Sequence, residues 1–462
     1  MGTPTGVSHR RLLTILLLLA LGAVLGCEVF FLSAAVAQAD RAAREYRNLF
    51  LLAMGVLGLA GWICIPRHLA QGALNRALEW LALLVPGYAA FQLLPLPLSV
   101  LRVLSPARAD LIDALAPLSL RPSFAPLSVA PSLTLIHLLL FAAYAAVFLL
   151  IREIGLSNPD RVWLPVLPIL AIAIWQAGWG VSQYLAGGDK PFAHGTYPVR
   201  NHFAGFLEMS LPFALAYGAA ELGKGDRESQ LPMSTAVRAG AGFTAAALII
   251  VGILSSLSRM GSIACVGSLL VMLALGVKLP GNKKWPLLMP LCLAVVLAFA
   301  LLAPVQLVLR FSQVTSEDRP GVWQDTLHLI AAYPVFGCGA GGYESAFEKF
   351  KTSGFEFVQD YAHNDYLQFL AELGLLGFLI AGAFLILIAV KAVQSSLRHP
   401  DPDSRWLGLA CSGALAAILI HSLADFNLYV PANATLLAWI SGLAASIPAK
   451  QDVCQLRRRR ET

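Results

Sequence analysis

The stretch YAHNDYLQFLAELGLLGFLIAGAFLILIAV, Tyr361 to Val390, decides how the chain is read. From Tyr366 onward it is an apolar run of the kind that crosses about 30 Å of hydrocarbon as a helix. Its first half carries His363, Asn364, Asp365, Gln368 and Glu372, at the mouth of the run and up to two turns inside it. Each of these polar groups costs free energy in hydrocarbon unless something satisfies it. Asp365, Gln368 and Glu372 are spaced by three and four, so they form one helical stripe that must face protein or water. The chain therefore has to supply a membrane fold in which a polar helix entrance is useful.

The composition agrees with a membrane. The 462 residues are 57% hydrophobic and 13% charged, with a mean hydropathy of +0.69. Soluble chains carry about 25% charged residues. Leu, Ala, Gly and Val dominate long blocks, which points to helices and not to the alternating short strands of an outer-membrane barrel. Runs of spanning length begin near Leu12, Leu49, Ala77, Leu133, Val162, Asn201, Val237, Met260, Trp285, Tyr366, Trp406 and Val430. The expected fold is an all-α polytopic bundle of about twelve spans. The N-terminal run after Arg10 and Arg11 resembles a signal peptide, but it is too long and lacks a convincing small-residue cleavage site near its end, so it reads as a retained helix.

With both termini cytoplasmic, most of the 33 Lys and Arg fall on the inner side, including Arg457 to Arg460. The net charge of +6 is thus a topological signal and not a nucleic-acid footprint. The same orientation puts four polar motifs outside: HGTYPVRNHFAGF from His194, SSLSRMGS from Ser255, the loop from Gln306 to Ala362, and HSLADFNLYVPANA from His421. Within that loop, GVWQDTLHLIAAY reads as a short helix ended by Pro334 and followed by a Gly-rich turn, a small cap over the bundle. A second outer segment, Ser99 to Ser132, is rich in Pro and Ser and is expected to lie partly in the interface. The expected organisation is N-terminal membrane helices over 1–194, a catalytic membrane region over 195–434 with its cap at 306–362, and a last helix end with a basic tail over 435–462.

Candidate functional residues follow from this sorting. Asn364 or Asp365 would cap the helix that follows, which leaves His363 unexplained and makes it the candidate catalytic group. Arg259 interrupts two apolar stretches. It either snorkels to the interface or offers its planar fork to a phosphate. Arg200, Arg310 and Arg319 are further outer cations near helix ends, and Asn201 beside Arg200 reads as a cap. His421 and Asp425, four residues apart, share a face and pair either to set a tautomer or, the favoured reading, to hold the fold. The seven cysteines form no disulfide framework or zinc spacing, and His363, His421, Asp365 and Asp425 lack a compact metal motif, so no metal or cofactor is expected. There is no Walker loop or dinucleotide fingerprint, which excludes direct drive by ATP.

Taken together, GTYPVRNHFAGFLEMSLP, SLSRMGS, RPGVWQDTLHLIAAYPVFGCGAGGYE, AHNDYLQFLAELGLLG and HSLADFNLYVPANA resemble the bacterial O-antigen ligase and O-antigen polymerase superfamily, over about Gly195 to Ala434. The resemblance implies a metal-independent, inverting glycosyltransferase of the bacterial inner membrane. Such enzymes move a glycan from undecaprenyl diphosphate to a hydroxyl of lipid A-core, or of another lipid-linked glycan, at the periplasmic face. It implies His363 as the essential histidine, with Arg259, Arg319 and Arg200 at the diphosphate. Many members carry a neutral residue at the position of Arg200. Asn364, Asp365, Gln368, Asn201, His421 and Asp425 would support the site. The chemistry is consistent: a diphosphate leaving group needs cations, and a neutral imidazole with a pKa of about 6.5 suits removal of the hydroxyl proton. The motifs do not separate ligase from polymerase, or lipopolysaccharide from exopolysaccharide. A transporter would place polar groups near midplane and show internal repeats, and a non-catalytic assembly protein need not unite His363 with Arg259.

Overall fold

A computed structural model describes residues 4–32, 41–64, 73–115, 117, 122–187, 190–224, 232–277, 305–312, 319–352 and 359–448. Sixteen α-helices run through these residues. They are α1 (Pro4–Cys27), α2 (Arg41–Cys64), α3 (Ala73–Gln92), α4 (Leu98–Leu104), α5 (Pro106–Asp113), α6 (Pro131–Ser157), α7 (Leu167–Ala186) and α8 (Arg200–Gly223). Then come α9 (Met233–Ser255), α10 (Arg259–Val277), α11 (Val305–Ser312), α12 (Arg319–Ala332), α13 (Tyr343–Phe347), α14 (Asp365–Arg398), α15 (Pro402–His421) and α16 (Pro431–Ser446). One two-residue antiparallel pair, β1 (Leu96–Pro97) with β2 (Phe124–Ala125), closes the loop between α3 and α6.

Eight helical stretches among the described residues are long and apolar enough to cross a membrane. Helices α2, α3 and α16 coincide with three more of the expected runs without meeting that test, and the run near Trp285 lies outside the described residues. The pair flanking Arg259 is two full-length helices, α9 and α10.

Helix α8 is the axis of the bundle: 94% of its most apolar window is buried, against 22% for α14, which faces outward. It packs against α7, α9, α10, α15 and α16. Apolar solvent cannot drive helices together, so close approach at small residues does. At the α8–α9 contact, an added Cβ on Gly242 would lie 2.8 Å from the backbone nitrogen of Gly218. At the end away from the cap, Glu221 of α8 accepts from Arg238 of α9 at 2.7 Å and from Lys224 at 2.6 Å, and Lys224 also pairs with Asp403 at 3.1 Å.

The stretch from Tyr361 to Val390 departs from the sequence reading in one respect. The apolar run after Tyr366 is not one continuous helix; it breaks at Gly374, with φ 63° and ψ −174°. That conformation is essentially restricted to glycine. In hydrocarbon the freed backbone groups must find partners, and the cap and α3 supply them. Leu375 and Leu376 N–H donate to the carbonyls of Pro334 and Val335 at 2.9 and 3.1 Å. The carbonyls of Ala371 and Glu372 accept from Cys338 and Gly339 N–H at 2.9 and 3.0 Å. Gln92 and Tyr88 of α3 donate to the carbonyls of Glu372 and Leu373 at 2.9 and 2.7 Å. The Gly-rich turn GCGAGGY is thus the piece that splices the broken helix, and the cap helix α12 ends just before Pro334 as the pattern implied.

Candidate functional site

The segment His421 to Tyr429, between α15 and α16, gathers most of the candidate residues. Asn364 caps α14, its side chain accepting from the N–H of Tyr366 and Leu367, and its amide donates to Leu423 O at 2.9 Å. Asp365 N–H points at the carbonyls of Ser422 and Asp425 at 3.0 and 3.1 Å, and its carboxylate accepts from Ser422 Oγ at 2.7 Å. From α12, Arg319 donates to Ala424 O at 2.6 Å. From α8, Asn201 donates to Asp425 Oδ2 at 2.7 Å, and His202 Nε2 lies 3.4 Å from Asp425 Oδ1. The half-buried His363 ring meets Phe426 edge-on with centroids 5.0 Å apart, and Tyr361 stacks flat on Phe426 at 4.1 Å.

Among the described residues, two non-glycine residues have left-handed backbone: His363 (φ 52°) and Leu257 (φ 55°). They sit in the two motifs, YAHND and SSLSR, that the sequence singled out. A bulky leucine in this region is a real outlier, and such conformations persist where the surroundings impose them. Here Leu257 turns the chain so that Ser258 can cap α10, its Oγ accepting from Gly261 N–H at 3.1 Å. Arg259 is then the first residue of α10. That end of α10 abuts the first turns of α8, where an added Cβ on Gly261 would lie 2.6 Å from Ala204 Cβ.

Arg200, Arg259 and Arg319 each open their helix. A cation at a helix N-terminus opposes the macrodipole, whereas an anion there is stabilised by both the dipole and the guanidinium. Three such arginines in these positions suit an anionic group with several oxygens. Arg200 also lies over the Phe192 ring, 4.6 Å from its centroid. Arg310 falls in α11, and its side chain is outside the described residues.

Asp425 stays strongly acidic despite burial. Burial alone would push its carboxyl up, but the contact and charge of His202, the charge of His421 and the Phe426 N–H hold it far below the usual carboxylate range. Burial, with help from the Glu372, Asp360 and Glu344 charges, pushes the Tyr361 phenol up.

Gln368 and Glu372 have a different task. Gln368 accepts from Ala362 N–H at 2.6 Å and donates to Glu372 at 3.1 Å. Glu372 further accepts from Gly341 N–H at 2.7 Å and from the Tyr429 hydroxyl at 2.9 Å. The polar stripe on α14 therefore faces protein: Asp365 faces the segment at 421–429, and Gln368 and Glu372 hold the cap down.

Glu208 and Phe426 were not picked out from the sequence. Glu208, fully buried on α8, pairs with His421 Nδ1 at 2.9 Å. The available signal was a carboxylate in an otherwise apolar run, seven residues and so two turns after Asn201. Beside this region lies an apolar cleft with a cavity volume of about 130 Å³ between α3, α6, α14 and α16, lined by Phe141, Tyr144, Phe148, Phe369, Phe384 and Leu428, among others. Leu428 links it to the site, since its N–H donates to Asp365 at 3.3 Å.

Residues 244–382 match the Wzy_C family model, described as O-antigen ligase. This region belongs to the O-antigen ligase superfamily. No curated protein matches the chain. The O-antigen ligase region contains Arg259, Arg319 and His363, while Asn201, Glu208, His421 and Asp425 lie outside it. Family and helices together make this a multi-pass membrane protein.

Proposed function

We propose that this protein is a surface-polysaccharide ligase. It would transfer a glycan from undecaprenyl diphosphate to a hydroxyl of lipid A-core at the periplasmic face of the inner membrane, without a metal. The observation that carries the reading is the convergence on one short segment, His421 to Tyr429, of His363, Arg319 and the first turn of α8 beside Arg200. In this reading the diphosphate sits among Arg200, Arg259 and Arg319. Each guanidinium neutralises charge as the anomeric C–O bond breaks. His363 takes the proton of the attacking hydroxyl, and attack from the side opposite the diphosphate inverts the anomeric carbon. The apolar cleft at Leu428 suits the lipid tail of the same donor. The catalytic unit would comprise 195–434, with both termini cytoplasmic.

The test is transfer by the purified protein in nanodiscs, given a lipid-diphosphate-linked glycan and lipid A-core. Glycan on lipid A-core supports the ligase. Glycan lengthening only on a second lipid-linked repeat would make the protein a polymerase, and no release of undecaprenyl diphosphate would end the transferase reading.

A further inference from the structure

Four titratable side chains are packed out of solvent around a fifth, the Asp425 carboxylate. Glu208 and His421 are fully buried, Asp365 and Asp425 are 1% exposed and His202 is 3% exposed. Four of the five form a line from the first turn of α8 to two turns deeper: His202, Asp425, His421, Glu208. The contacts are 3.4 Å from His202 Nε2 to Asp425 Oδ1, 3.9 Å from Asp425 Oδ2 to His421 Nε2, and 2.9 Å from His421 Nδ1 to Glu208 Oε1. His202 Nε2, His421 Nε2, Glu208 Oε2 and Asp365 Oδ1 each lack a hydrogen-bond partner. Buried polar atoms left in this way are costly, and a cluster of them needs a reason.

Charge supplies one. The buried Asp425 carboxylate, held strongly acidic, needs cations or donors beside it. The imidazoles of His202 and His421 meet that need when protonated, and the contacts are ion pairs only then. The charged groups bonded to the stretch 421–425 from its neighbours are Asp365 of α14, which accepts from Ser422, and Arg319 of α12, which donates to Ala424; Arg200 opens the helix that carries His202.

Position supplies the other. Asp425 joins two bodies. On one side, Asn201 and His202 belong to the α8 turn that begins with Arg200. On the other, Asp425 accepts from its own neighbour Phe426 N–H at 2.8 Å, and Phe426 carries the His363 ring while Ala424 holds Arg319. We propose that Asp425 is a positioning residue that clamps the α8 turn bearing Arg200 to the segment that carries His363 and Arg319, and that the clamp holds only while His421, which lies between Asp425 and Glu208 of α8, carries its proton. The proposal rests on the transferase reading. It assigns the two limbs of the pH profile to different histidines: the acid limb to His363, which must be neutral, and the alkaline limb to His421, which must be charged.

The experiment measures turnover from pH 5.5 to 9.5 for nanodisc-held wild type, Asp425→Asn and Asp425→Glu, with size-exclusion behaviour and donor binding as controls. The wild type should give a bell. Asp425→Asn should lose roughly 10–100-fold at neutral pH, the range for a misplaced reacting group, and its alkaline limb should vanish. Asp425→Glu should recover part of the rate and the limb. If Asp425→Asn does not fold, His421→Gln, which leaves the Asn201 and His202 contacts in place, should shift the alkaline limb. A uniform loss with the limb unmoved, or a wild type active but without an alkaline limb, overturns the proposal. A wild type that transfers nothing overturns the transferase reading itself.

Discussion

Gly374→Ala is the sharpest perturbation, because the break in α14 positions everything that follows His363. At φ 63° and ψ −174° a side chain costs roughly 1–3 kcal/mol in backbone strain alone. The new Cβ would also collide with Gly337 N and Val335 O, both backbone atoms that cannot swing away. Moving the turn at 335–339 endangers the four backbone bonds that splice the helix, each with a net worth of about 0.5–1.5 kcal/mol. The sum is roughly 3–9 kcal/mol, a large part of the usual total stability of about 5–15 kcal/mol. The same helix provides its own control. Gly382 has helical backbone and nothing within 4 Å of an added Cβ, so Gly382→Ala should be neutral or stabilise by up to about 1 kcal/mol. Thermal unfolding in detergent and proteolysis of the cap would read both variants. Gly374→Ala with wild-type melting, an uncut cap and full transfer would refute the account of the break.

Three further outcomes are expected. His363→Ala should lower turnover by about 10²–10⁴-fold while the lipid-linked donor still binds, and wild-type rate should fall at acid pH because an imidazolium cannot accept the hydroxyl proton; unchanged transfer would remove His363 as the base. Arg259→Lys should fail substantially, since a point charge does not reproduce two-point phosphate recognition; full activity at normal expression would leave Arg259 only a snorkelling role. Ala438→Trp, which fills the apolar cleft, should raise KM for a polyprenyl donor at least several-fold and leave a short-chain donor unaffected; equal effects on both donors would detach the cleft from the donor's tail.

Whatever depends on local composition and period could be read before any fold was known. Apolar runs of spanning length dictated the helical class, because a bilayer admits few other ways to satisfy a backbone. The polar interruptions marked His363, Arg259 and Arg319, because charged groups in such runs need a reason. The cap helix before Pro334 and the cap role of Asn364 were legible for the same local reasons. Which of these residues meet is a matter of tertiary packing alone. Glu208 lies 213 residues from His421 and Asn201 224 residues from Asp425, and no spacing encodes such pairings. The break at Gly374 was equally hidden. A glycine inside an apolar run is tolerated by a straight helix, and only the arrival of the turn at 334–339 and of Tyr88 and Gln92 from α3, with donors and acceptors for the freed backbone groups, makes the broken form the stable one.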